Sequence, residues 1–150
     1  MLLGVDYYPE QWSPALTQAD MDRIVELGCN VIRIGEFAWH RMEPEEGHYD
    51  FSYFDSVIAM AKAKGLQVIF GTPTATPPAW LIRKHPEILS RFENGSPRAF
   101  GGRHVACYSS TAYLRHCADI IRELSRHYRD ESAIVAWQID NELGHEGSDQ

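Results

Sequence analysis

"AIVAWQID" (133–140) is an apolar, β-branched run that ends on a carboxylate and passes straight into Asn141 and Glu142. Its length and residue types read as a buried strand. Why such a strand should end in three adjacent groups able to bind a ligand or take part in proton transfer is the question that decides the fold.

The same pattern recurs upstream. "LLGVDYY" (2–8) closes on Asp6, Tyr7 and Tyr8; "NVIRIGEF" (30–37) carries Arg33 and Glu36; "LQVIFGT" (66–72) leads to Thr72 and Thr74. Helical patterns lie between these runs. Met21, Ile24 and Val25 are at helical spacing, after a start at Ser13 or Thr17 and before a stop at Gly28. Phe54, Val57, Ile58 and Ala61 line one face of a second helix, which Ser52 and Asp55 open as a capping box. "PPAWLIRKHPEIL" (77–89) holds a short helix limited by Pro86, and Asn94-Gly95 marks a hairpin in the loop that follows. The longest helix, about 110–128, buries Tyr113, Cys117, Ile120, Ile121, Leu124 and Tyr128.

Alternating strands and helices, with apolar strands, predict a parallel sheet covered by helices. A doubly wound nucleotide-binding sheet usually has a Gly-rich loop after its first strand. Here that position holds "DYYPEQW" (6–12), which argues against a dinucleotide. Polar residues at every strand's carboxyl end fit a barrel, whose active site is built on that face. The expected fold class is α/β, the amino-terminal half (about four βα units) of a TIM (β/α)8 barrel. Residues 1–150 then form a single incomplete domain, because such barrels run to about 250 residues. Half a barrel leaves two open sheet edges.

Composition narrows the partners. With 44% apolar residues the chain can bury a core, and a formal charge of −7 argues against a nucleic-acid backbone. Thirteen Tyr and Phe and four Trp offer faces that suit sugar rings as well as cores. No run approaches the ~20 apolar residues of a membrane span. The start lacks the basic region of a secretory signal, and Cys29, Cys107 and Cys117 make no disulfide framework, so a cytoplasmic location is expected.

Glu142 is the leading catalytic candidate: a carboxyl after a hydrophobic strand can be desolvated and so become a proton donor near neutral pH. The alternative is an exposed loop residue. Asn141 offers its amide to a substrate hydroxyl. Arg33, inside an apolar strand, needs carboxylates, and Glu36 or Asp6 could supply them; a structural ion pair and a sugar contact are compatible. Trp12, Trp39, Trp80, Tyr7 and Tyr8 suit either stacking on a pyranose or ordinary packing. His104, Cys107, His116 and Cys117 fit no compact zinc pattern. His145 and Glu146 lack the spacing of a helical zinc hydrolase and read as loop polarity.

Together, "GVDYYPEQW", "RIGEFAWHRMEPEEGHYDFSYFD", "GTPTATPPAWL", "HPEIL" and "WQIDNELG" resemble, in order and spacing, the β-galactosidases of glycoside hydrolase family 42. The resemblance implies a retaining enzyme acting on terminal non-reducing β-D-galactosyl groups. Glu142 matches the family's acid/base, and Arg33 and Asn141 match residues that bind the galactosyl unit. The nucleophile, a Glu at the end of the seventh strand, has no counterpart here; Glu10, Glu36 and Glu43 do not match it. Some members hold a structural zinc, with Cys107 as one of four cysteine ligands, although catalysis needs no cofactor. The resemblance also implies a homo-oligomer, commonly a trimer; charge and run length, separately, predict no nucleic-acid or membrane partner. Two other readings stay open: a non-catalytic galactoside-binding fragment, and a barrel glycosidase of different sugar specificity.

Overall fold

The structure, a computed structural model, describes residues 1–142. Strands β1 (Gly4–Asp6), β2 (Val31–Ile34), β3 (Gln67–Gly71) and β4 (Ile134–Gln138) pair in parallel, in the order β1-β2-β3-β4. A doubly wound sheet reverses its order at a switch point. Uninterrupted sequential order is the winding of a barrel.

Helices α1 (Pro14–Glu26), α2 (Trp39–Met42), α3 (Ser52–Ala63), α4 (Ala79–Lys84) and α5 (Thr111–His127) fill the crossovers. Pro14 opens α1, where a missing N–H costs nothing. α3 buries Phe54, Val57, Ile58 and Ala61 as its spacing predicts, but its start differs. Ser52 lies in the first turn rather than at the cap, and its N–H donates to Asp50 Oδ1 at 2.9 Å. The capping carboxylate comes from two residues earlier. α5 is capped by Ser110, whose Oγ accepts from the Tyr113 N–H at 3.3 Å. Its buried stripe includes His116 as well as the predicted residues, with Ile121 only half-buried.

Period-two alternation along the sheet separates two faces. Ile32, Ile34, Val68 and Phe70 are fully buried in the core shared with the helices. Phe70 is its centre, with ring centroids 5.5 Å from Phe54, 5.2 Å from Tyr128 and 5.6 Å from Trp137. Arg33 and Ile69, register partners between these positions, are half-buried. The outer strands β1 and β4 each pair on one side, and their Val5, Val135 and Trp137 are exposed. These are the open edges expected of a half-barrel.

Two glycines let β2 and β3 end close together. Gly35 has φ +93, and a Cβ there would meet the Phe70 ring at 2.5 Å. A Cβ on Gly71 would lie 2.7 Å from Glu36 Cβ and 2.9 Å from its Cα. Backbone cannot swing aside as a flexible side-chain tip can. Gly71→Ala should therefore destabilise the protein by roughly 1–3 kcal/mol, as overpacking does, and displace Glu36. A lowered denaturant midpoint with unchanged slope is the expected result.

Candidate active site

Glu36, immediately after β2 and Gly35, is 1% exposed. A carboxylate taken from water is costly unless charges and donors replace the lost hydration. Three segments supply them. Arg33 approaches with Nε 3.1 Å from Oε2 and Nη2 3.2 Å from Oε1. Gln138 Nε2, at the end of β4, donates to Oε2 at 2.9 Å, and the Tyr8 hydroxyl donates to Oε1. Burial first, then the neighbouring Glu36, pushes the Tyr8 phenol up to about 12, so it stays a donor at neutral pH. Arg33 Nη2 also reaches Asp6 Oδ2 at 2.7 Å. Both carboxylates anticipated for Arg33 are thus present, and its guanidinium is committed to them.

The turn after β4 is built on β3's continuation. Thr72 Oγ1 accepts from the Asp140 N–H at 2.7 Å, and Thr74 Oγ1 donates to Asp140 Oδ2 at 2.8 Å. Asp140 Oδ1 accepts from the Asn141 N–H at 2.6 Å. The segment is in turn tied to α5, because the Tyr113 hydroxyl donates to the Thr74 carbonyl at 2.6 Å. Asp140 and Glu142 hold left-handed backbone conformations, φ +55 and +47. Such conformations cost about 1–2 kcal/mol per non-glycine residue and persist where the surroundings enforce them. Asp tolerates the first of them through its side-chain bond to the next N–H.

This turn brings together Asn141 and Glu142. Asn141 is buried; its Oδ1 lies 3.3 Å from Gln138 Nε2, while Nδ2 is shielded from solvent and has no partner among the described residues. The Glu142 side chain is 64% exposed, and Oε2 sits 3.0 Å from Arg103 Nη1. The desolvation expected for Glu142 is therefore not supplied by the described residues; an ion pair at the site's mouth takes its place. Arg103, not singled out from the sequence, lies in a Gly- and Pro-rich loop with no periodicity to signal a role. The loop is pinned beside it by the His104 N–H donating to the Ala75 carbonyl at 2.9 Å.

Other candidates fall elsewhere. Trp39 is fully buried, its Nε1 donating to Glu43 Oε2 at 2.8 Å, and Trp80 Nε1 donates to the Glu43 carbonyl at 2.9 Å. Both brace the loop after β2. Tyr7 is buried with its hydroxyl 3.3 Å from Asp20, whereas Trp12 is exposed. Cys107 is half-buried on the loop before α5, its N–H donating to the Ile88 carbonyl at 2.7 Å. Among the described residues no three His, Cys, Asp or Glu side chains form a metal-binding group. One thiol does not by itself make a tetrahedral site. His145 and Glu146 lie outside the described residues.

Parallel strands wound in sequence, with polar groups gathered at their carboxyl ends, define a segment of a (β/α)8 barrel bearing part of that fold's usual active-site face. The profile of the β-galactosidase family Glyco_hydro_42 matches residues 6–150. The chain is 43% identical over 147 residues to β-galactosidase BgaA of a Thermus species, covering 98% of this chain and 23% of that protein. It is 40% identical over 144 residues to β-galactosidase BgaH of Haloferax lucentense, covering 96% and 22%. The β-galactosidase structure from Bacillus circulans sp. alkalophilus matches with a TM-score of 0.93 at 32% identity, over 98% of this chain and 22% of that one. The chain belongs to glycoside hydrolase family 42, and its sheet is the amino-terminal half of the family's barrel. It spans about a fifth of the length of these relatives. No helix among the described residues is long and apolar enough to cross a membrane.

Two outcomes follow from the geometry. Thr74→Val leaves the buried Asp140 carboxylate short of a donor, which should cost about 1–3 kcal/mol; Thr74→Ser should restore the stability, as read by thermal melts. Glu10, on the loop after β1, has both carboxyl oxygens buried without hydrogen-bond partners among the described residues, and burial pushes its carboxyl above the ordinary 4.5. The native state then binds that proton more tightly than the unfolded chain, so stability falls as pH rises from 4.5 through the raised value. Glu10→Gln should melt above the wild type at neutral pH, with the gap closing as pH falls below 4.5.

Proposed function

We propose that the protein carrying this chain is a retaining β-galactosidase that hydrolyses terminal non-reducing β-D-galactosyl residues by double displacement. The observation that carries the reading is the buried Asn141 Nδ2 beside Glu142, without a partner among the described residues, on a turn that Thr72 and Thr74 enforce. A shielded donor without an acceptor is costly, and a sugar hydroxyl supplies the acceptor. Family membership and the β-galactosidase names of the relatives support galactose as that sugar.

In the first step Glu142 gives its proton to the glycosidic oxygen as the bond to the anomeric carbon breaks. A second carboxylate attacks that carbon from the opposite face and forms the galactosyl-enzyme. In the second step ionised Glu142 takes a proton from the attacking water, galactose leaves, and both carboxyls return to their starting states. Arg103, with Nη1 3.0 Å from Glu142 Oε2, holds that carboxyl in place and presents further donors to the sugar. Arg33, matched by sequence resemblance to a galactosyl contact, acts through Glu36 and Gln138, which support Asn141.

Retention requires the two carboxyls about 5–5.5 Å apart. Glu36 is held by Arg33, Tyr8 and Gln138, and Glu43 by Trp39 and Gly47, so neither is free to attack. The nucleophile is assigned to a residue outside those described, and the isolated chain is expected to turn over no galactoside. In the full-length protein, Glu142→Gln should lower kcat/KM roughly 10²–10⁴-fold on an aryl β-galactoside whose leaving group needs protonation. The loss should shrink for a strongly acidic leaving group, and proton NMR should show β-galactose formed first. Undiminished activity in the variant, or α-galactose as first product, would contradict the reading.

A further inference from the structure

We propose that the apolar cleft between the loops after β2 and β3 binds the leaving group of the substrate, with Phe37 and Phe100 setting which leaving groups are accepted. This rests on the assignment of Glu142 as proton donor. The cleft measures about 340 Å³ and is lined by Phe37, His40, Thr76, Pro77, Pro78 and Phe100, with Gly101 and Gly102 at its edge. That lies within the range of small-molecule sites, roughly 300–1,000 Å³.

Position argues for the leaving group. An acid that protonates the glycosidic oxygen must stand beside the group departing with that oxygen. Arg103 joins the two places: its Nη1 is 3.0 Å from Glu142 Oε2, and its guanidinium carbon is 5.8 Å from the Phe37 ring centroid. It also follows Phe100, Gly101 and Gly102 directly in the chain. The surface reached from Glu142 across Arg103 is therefore this cleft.

The lining chemistry argues against the galactosyl unit itself. A galactosyl ring carries hydroxyls that need partners when buried. The Thr76 hydroxyl already donates to the Phe37 carbonyl at 2.9 Å. His40 is the remaining polar side chain, and burial, reinforced by Arg41, pushes its imidazole below the ordinary range, so it is uncharged at neutral pH. Two phenyl rings and two prolines instead suit an aromatic ring or the apolar face of a sugar. Phe37 is a preorganised wall, stacked on Tyr8 with centroids 5.7 Å apart while Tyr8 is bonded to Glu36. Phe100 is the opposite case: 59% exposed, on the loop beyond the Asn94-Gly95 turn. A bound leaving group would cover it.

The test compares two substrates in the full-length protein: an aryl β-galactoside, and β-galactosyl fluoride, whose leaving group is a single atom unable to fill the cleft. Phe100→Ala should reduce the ratio of kcat/KM for aryl over fluoride about tenfold, the size of one lost aromatic contact. Phe100→Trp should keep or raise that ratio. Because both substrates share the galactosyl unit, a change in fold or active fraction moves them together and leaves the ratio fixed. An unchanged ratio in Phe100→Ala would overturn the assignment. Wild-type protein that cleaves neither substrate would instead overturn the galactosidase reading, and this assignment with it.

Discussion

The Glu36 carboxylate is the interaction on which the rest of this site depends. Buried at the end of β2, it is tolerable only while Arg33, Tyr8 and Gln138 all reach it, and these come from β2, the loop after β1, and β4. One charge thereby ties three of the four described strand ends together. The backbone yields to it as well, since Gly71 is bare of a side chain where Glu36 presses against β3. The worth of a buried ion pair lies less in net stability than in the penalty for any arrangement that leaves it incomplete. That penalty sets the relative placement of the strand ends.

From this base the turn after β4 is built outward. Gln138 donates to Glu36 and to the Asp140 carbonyl, at 2.9 and 2.8 Å, so the last residue of β4 is held before the chain turns. Thr72 and Thr74 then hold Asp140 in a left-handed conformation, and Asn141 and Glu142 follow with little freedom. Position is enforced by buried bonds, while the Glu142 carboxyl itself lies at the exposed mouth with Arg103. The open edges at β1 and β4, with Val5 and Trp137 exposed, are where further strands of the family's barrel would pair.

Much of this was legible in the sequence because it is local or periodic. Continuous apolar runs marked the strands, the α3 and α5 stripes marked buried helix faces, and polar residues at strand ends pointed to the barrel's working face. Arg33 within "VIRIG" (31–35) announced a need for carboxylates, which Asp6 and Glu36 meet. What escaped was long-range or irregular. Gln138 and Glu36 are 102 residues apart, and nothing in either segment names the other. Arg103 sits in a loop whose path is set by tertiary contacts such as that of His104 with Ala75. The start of α3 is ambiguous in sequence because Ser52 and Asp50 are both good capping residues, and the choice between them depends on how the preceding loop is anchored. There the Asp50 N–H donates to the Met42 carbonyl at 2.9 Å.

The central claim, that the turn after β4 presents Glu142 to the glycosidic oxygen, is tested most directly by a crystal structure of the full-length protein with a non-hydrolysable β-galactoside analogue. The account predicts a Glu142 carboxyl oxygen within about 3 Å of the glycosidic atom. It also predicts Asn141 Nδ2 bonded to a galactosyl hydroxyl and a second carboxylate about 5–5.5 Å from Glu142 across the anomeric carbon. A complex in which another residue meets the glycosidic atom, with Asn141 Nδ2 still unpartnered, would contradict it.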